Sequence, residues 1–219
     1  MWKPLLVDIE DKIRLDRQAL EGFHSGPDSQ LAATAEAMSA VGSARCVVVV
    51  EGVSDQIAVE TLAARRGRDL SAAGAVVVPV GGAHAMERYL RRFGPQGARL
   101  TVVVMCDEAE EAMVNRALRR AGIVSRDSLF VCVKDLEDEL IRSVDPAAVE
   151  ALLESQGDLQ AFRTLQRQGQ WRERPFEAQM HRWLRAGARR NLRYARLLVE
   201  VIDSDRVPHP LEAVVAAAG

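Results

Sequence analysis

An α/β fold on a parallel four-stranded sheet is predicted by three features of the 219-residue sequence. Four short, valine-rich apolar runs at 46–50, 75–80, 100–106 and 129–133 have the length of buried strands. Each is followed by a segment with helical periodicity. Three of the four junctions carry carboxylates, and the remaining one carries a glycine pair. Strand–helix units in succession argue for parallel pairing with helices on both faces of the sheet, joined by right-handed crossovers.

Ahead of the sheet, residues 8–41 read as helical, with Ile9, Ile13 and Leu20 marking an apolar face. Ser25-Gly26-Pro27-Asp28 breaks this stretch, and an alanine-rich helix runs on to Val41. The run Cys46–Val50 leads into a helix over 55–66, periodic at Ile57, Val59, Leu62 and Ala63. The second strand leads into a helix near 83–93, the third into 110–121 and the fourth into 136–143. From Asp145 onward only helical signals occur. Pro146 suits a helix first turn running to about Gln156. Helices at 158–167, 176–186 and 189–202 follow, with a loop over 168–175 and a short last helix after Pro208-His209-Pro210. The chain thus divides into an N-terminal helical segment (1–43), an α/β core (44–144) and a helical C-terminal segment (145–219).

Composition narrows the class. With 48% hydrophobic and 27% charged residues, the chain has material for a core and excludes wholesale disorder. Its longest apolar runs are strand-sized, too short to cross a membrane as helices. Acidic residues begin at Asp8, too early for a signal peptide. Cys46, Cys106 and Cys132 lie in or beside apolar runs without metal-ligand spacing, which predicts buried free thiols in a reducing cytoplasm. No Gly-x-x-x-x-Gly-Lys-Ser/Thr element is present, so an ATP site is not expected. Charge is unevenly spread. Residues 1–160 hold 25 acids and 18 bases, whereas 161–219 hold 6 acids and 11 bases. Acids that collect divalent metal beside bases that collect phosphate would make one nucleic-acid site; a solvated basic helix face is the plainer account.

Ligands of parallel α/β sheets bind beyond the carboxyl ends of the strands. The first strand ends in Glu51-Gly52-Val53-Ser54-Asp55, the second in Gly81-Gly82, the third in Asp107-Glu108-Ala109-Glu110 and the fourth in Lys134-Asp135-Leu136-Glu137-Asp138-Glu139. Any one of these acids reads most simply as a helix cap. Crowded at one rim they repel one another, and a divalent cation such as Mg²⁺ or Mn²⁺ relieves that repulsion. Two such ions about 4 Å apart clamp a phosphodiester during in-line displacement. Gly81 and Gly82 would let backbone N–H groups approach a phosphate.

The Glu51-Gly-Val-Ser-Asp55 element, the Gly81-Gly82 pair and Asp107, each after its apolar strand, resemble a Toprim domain, the catalytic fold of primases, topoisomerases and OLD-family nucleases. Asp135-Leu-Glu-Asp-Glu-Leu140 is similar to the OLD branch, as is the helical C-terminal segment with Tyr194-Ala195 and Val207-Pro208. The resemblance implies metal ligation by Glu51, Asp55, Asp107 and Glu137, with Glu51 and Asp107 catalytic. It also implies DNA as substrate, with a separately encoded protein partner left open. Three departures stand out. Ala109 occupies the second acid position of the Asp-x-Asp motif, leaving Glu110 or Glu108 to replace it. The C-terminal lysine of the OLD enzymes is missing near Asn191, where only Arg190 and Arg193 stand close. The ATPase domain of full OLD proteins has no counterpart in the motifs.

Arg185, Arg189, Arg193 and Arg196 are spaced to form one stripe on a continuous helix, unless Gly187 interrupts it. With Arg190 they are the candidate phosphate contacts. Trp171 and Trp183 read as packing residues more than base-stacking ones, and His84 as a solvated loop histidine. A topoisomerase would need a nucleophilic tyrosine, and Tyr89 and Tyr194 both sit on predicted helices. The leading reading is a metal-dependent DNA nuclease; the alternative is a Toprim module that binds nucleic acid or a partner without cutting.

Overall fold

A computed structural model describes residues 9–124 and 128–219. The first eight residues of the N-terminal segment, including Asp8, and the side chain of Ile9 lie outside them. The elements are α1 (Ile9–Ala19), α2 (Ser29–Ala40), β1 (Cys46–Val50), α3 (Val53–Arg65), β2 (Ala75–Pro79), α4 (Ala83–Phe93), β3 (Thr101–Asp107), α5 (Glu111–Arg120), β4 (Leu129–Cys132) and α6 (Leu136–Ser143). Five further helices follow: α7 (Pro146–Ser155), α8 (Leu159–Gln166), α9 (Phe176–Arg185), α10 (Ala188–Val201) and α11 (His209–Ala218).

The four strands are parallel and ordered β2-β1-β3-β4. Alternation along β1 divides its valines between two cores. Val48 and Val50 face a core shared with α3 and α6–α11, while Val47 and Val49 face one built with α2, α4 and α5. The C-terminal helices therefore complete the same hydrophobic core as the sheet. Two expectations need correction. Three of the four residues of β4 are only half-buried, because β4 is an edge strand with one neighbour. Ile13 is 53% exposed, so it takes no part in the apolar face expected there, whereas Leu20, just beyond α1, is buried.

Charge holds α1 in place. Arg193 on α10 is 4% exposed, with its guanidinium bonded to Asp16 of α1 and to Asp158, which precedes α8. Lys12 reaches the same Asp158 at 2.7 Å, and the Tyr194 hydroxyl donates to it at 3.0 Å. Arg193→Ala would leave Asp158 buried without its main cation. We expect a loss of about 3–5 kcal/mol of stability, the cost of breaking a buried pair from one side. Lysine cannot span both carboxylates and should rescue little. Chemical denaturation checks this, and an unchanged midpoint would refute it.

Candidate metal centre

Glu51 and Asp107 stand at the carboxyl ends of β1 and β3, the central strands. The chain runs from β1 outward to β2, then returns to place β3 on the other side of β1. The crevice of a parallel sheet opens at such a reversal. The Glu51 carboxylate accepts the Asp107 N–H at 3.3 Å. Its main-chain carbonyl accepts both the Gly81 and the Gly82 N–H at 2.9 Å. Those glycines have φ of 83° and 104°, a region open to glycine without strain. The expectation that their N–H groups are free for phosphate is therefore corrected: they position Glu51.

Glu110 lies in a short 3₁₀ turn after β3. One carboxylate oxygen each from Glu51, Asp107 and Glu110 falls within 4.8 Å of the others, and all three residues are half-buried. Glu108 points elsewhere, accepting the Lys134 N–H at 3.3 Å. Of the two candidates for the missing second acid, Glu110, carried on the 3₁₀ turn, is therefore the one that lies with Glu51 and Asp107. Asp55 caps α3 through the Gly52 N–H at 2.8 Å and also lines the cleft, so the cap and the site are one residue. Glu137, in the first turn of α6, accepts the Asn191 amide at 2.6 Å. The cleft, about 460 Å³, is walled by Glu51, Asp55, Asp107, Glu137, Arg185 and Asn191. A roomier cleft of about 600 Å³ between α2, α3 and β2 lies away from these acids.

Ion pairing sorts the acids. Asp138 bonds Lys134 and Arg142, Glu139 pairs with Arg142, and Asp135 pairs with His181 at 2.7 Å and Arg185 at 3.4 Å. Among the described residues Glu51, Asp55, Asp107, Glu110 and Glu137 have no such cation. Their protonation reflects this. Burial first, then the Glu51 charge, pushes Asp107 up to about 7. Burial and the Glu137 charge raise Asp55 well above its usual range. Burial raises Glu51, opposed by the Asp107 and Ala83 N–H groups and reinforced by Glu110. Burial also acts on Asp135, but His181 and the Asp138 N–H outweigh it and hold that carboxyl below its usual value.

The arginine stripe does not exist as predicted. Gly187 separates α9 from α10, so Arg185 and the later arginines lie on different helices. Arg185 alone among them lines the acidic cleft. Arg189 faces Asp16 at 3.6 Å, and Arg193 is the buried clamp described above. Arg190 stacks over Trp183 at 4.0 Å and donates to its carbonyl, and Arg196 bonds Glu200. Trp183 and Tyr194 are buried edge to face, Tyr89 is buried and His84 exposed. The three cysteines are free and buried. No described helix is long and apolar enough to cross a membrane. Sequence reasoning missed the roles of Asn191 and His181, whose partners lie 54 and 46 residues away; no local pattern signals such pairings.

Residues 44–108 match the family model for the Overcoming lysogenization defect protein-like Toprim domain. Two solved structures have the same fold. The C-terminal region of the Burkholderia pseudomallei OLD protein is 20% identical, with a TM-score of 0.59, covering 80% of this chain and 96% of that one. The C-terminal region of the Xanthomonas campestris pv. campestris OLD protein is 19% identical, with a TM-score of 0.60, covering 80% of this chain and 94% of that one. No protein of curated function matches the chain in sequence. Residues 44–108 thus match an OLD-like Toprim domain, and the chain as a whole shares its fold with the C-terminal regions of these OLD proteins.

Proposed function

We propose that this protein is a divalent-metal-dependent nuclease that cleaves phosphodiester bonds in DNA. The observation that carries the reading is the set of five acids that have no cation partner among the described residues, at one strand-end rim beside three others that each have one. The donor set suits a hard ion: Mg²⁺ or Mn²⁺ takes oxygen ligands and shares them with water. The Asn191 side-chain oxygen, buried in the same wall with no hydrogen-bond partner among the described residues, adds another oxygen of that kind. Glu51, Asp107 and Glu110 would hold one ion, and Asp55 and Glu137, which line the same cleft, would share in holding it or a second. The metal supplies Lewis acidity toward phosphoryl oxygen and a more acidic bound water. The chain's own part is to fix the carboxylates: Gly81 and Gly82 hold the Glu51 backbone, Gly52 holds Asp55 and Asn191 holds Glu137. Arg185 brings a permanent cation to the cleft, suited to a phosphate oxygen but poor at proton transfer. The three buried thiols support a cytoplasmic setting.

One observation favours a second reading, a module that grips nucleic acid without cutting it. Asn191 lines the cleft where the OLD enzymes would offer a lysine, and an amide cannot move a proton at that point. Nicking of supercoiled plasmid with Mg²⁺, with Mn²⁺ and without metal decides between them. Metal-dependent nicking supports the nuclease; DNA binding without nicking in either metal supports the module.

A further inference from the structure

A second cleft, about 480 Å³, adjoins the acidic one and shares Arg185 with it. Lys134, Trp171, Arg174, His181, Arg182 and Arg185 line it, with no acid among its lining residues. Lys134 is committed to Asp138, while His181 and Arg185 face Asp135. Arg174 and Arg182 are exposed and have no ion pair among the described residues. Trp171 is only half-buried, unlike Trp183, which is sealed between Phe162 and Tyr194.

The loop bearing Trp171 is tied to α9 through its backbone. Its main-chain carbonyl accepts the Gln179 amide at 2.8 Å, and Gln179, 6% exposed, in turn accepts from Gln166 at 2.7 Å. The indole is thus presented on this tied backbone beside two free guanidinium groups. A basic groove with an aromatic platform suits single strands, whose unpaired bases expose faces for stacking while the phosphates follow the cations. Bases stacked inside a duplex have no face to offer an indole.

We propose that this cleft binds single-stranded nucleic acid, one base stacking on Trp171 and phosphates meeting Arg174 and Arg182, with Arg185 carrying the strand to the acidic cleft. The inference rests on the nuclease reading for the destination of the strand, but its test does not depend on cleavage. Binding is measured in EDTA with fluorescent oligo(dT), oligo(rU) and a duplex of equal length. We expect either single strand to bind more tightly than duplex. Trp171→Ala should weaken that binding roughly tenfold, the loss of one stacked base, and Trp171→Phe should recover most of it. Replacing Arg174 and Arg182 by Ala should flatten the salt dependence by about 1.4, for two lost single-strand contacts. Thermal melts should stay unchanged, because the Trp171 carbonyl, not its ring, holds the loop. Preference for duplex, no single-strand binding, or a Trp171→Ala effect below about twofold in a folded protein would overturn the proposal. Metal titration by calorimetry, run separately, tells whether the metal reading fails instead.

Discussion

Glu51→Gln should cut the metal-dependent nicking expected of the proposed nuclease to a small remainder while leaving the fold and nucleic-acid affinity in place. The variant retains what the structure asks of residue 51 apart from charge. Its side-chain carbonyl still accepts the Asp107 N–H, and its backbone carbonyl still takes the Gly81 and Gly82 N–H groups. What disappears is one anionic oxygen of the Glu51–Asp107–Glu110 cluster. A loss of about 10²–10⁴-fold in nicking rate is expected, the range for a group acting at the reacting centre. Affinity for DNA should hold or tighten, because one charge repelling phosphate is gone. Two companion variants assign the second acid. Glu110→Gln should fall in rate like Glu51→Gln. Glu108→Gln should not, since Glu108 faces the Lys134 backbone outside the cluster. Nicking by Glu51→Gln at the wild-type rate would remove this rim as the active site.

Asp107→Asn should raise the melting temperature of the metal-free protein at pH 8 and remove most of the stabilisation that Mn²⁺ gives the wild type. Asp107 ordinarily titrates at 3.8, and in the fold it is pushed up to about 7 by burial, then by Glu51 and the neighbouring acids. A folded carboxyl with a raised value binds its proton more tightly than the unfolded chain does. Its stabilising contribution is complete below about pH 4 and is lost as pH rises through about 7. The wild type without metal should therefore lose stability between those limits, while the asparagine variant loses less. Metal needs the deprotonated carboxylate, so its affinity should weaken as pH falls below about 7. At about 100 times its dissociation constant, Mn²⁺ should stabilise the wild type by roughly 2.7 kcal/mol. Melts across pH in EDTA and in Mn²⁺ test both signs. An asparagine variant that melts lower than wild type at pH 8 without metal would mean Asp107 is not under like-charge strain. An undiminished Mn²⁺ shift would place the ion elsewhere.

The elements of the sheet were legible because their signals are local. A valine run, a glycine or acid after it and a helical period all fit within about fifteen residues, and alternation alone sends Val47 and Val49 to one core and Val48 and Val50 to the other. Placing the site at the strand ends followed from parallel topology, and the Toprim resemblance singled out Glu51 and Asp107 within it. Tertiary structure decided what each charge does there. Asp135, Glu137, Asp138 and Glu139 lie within five residues, yet among the described residues only Glu137 has no cation partner, because His181, Lys134, Arg142 and Arg185 stand beside the rest. Arg193 reads as an exposed base on a basic helix, but its partners lie 177 and 35 residues away, and they bury it. Helical spacing states which residues share a face; only the placing of α1 and of Asp158 against α10 states whether that face meets water. The sequence by itself thus determined where carboxylates gather, since that depends on the ends of neighbouring strands. The folded chain alone decided which of them stay uncompensated, since ion pairs form across space and leave no period in the chain.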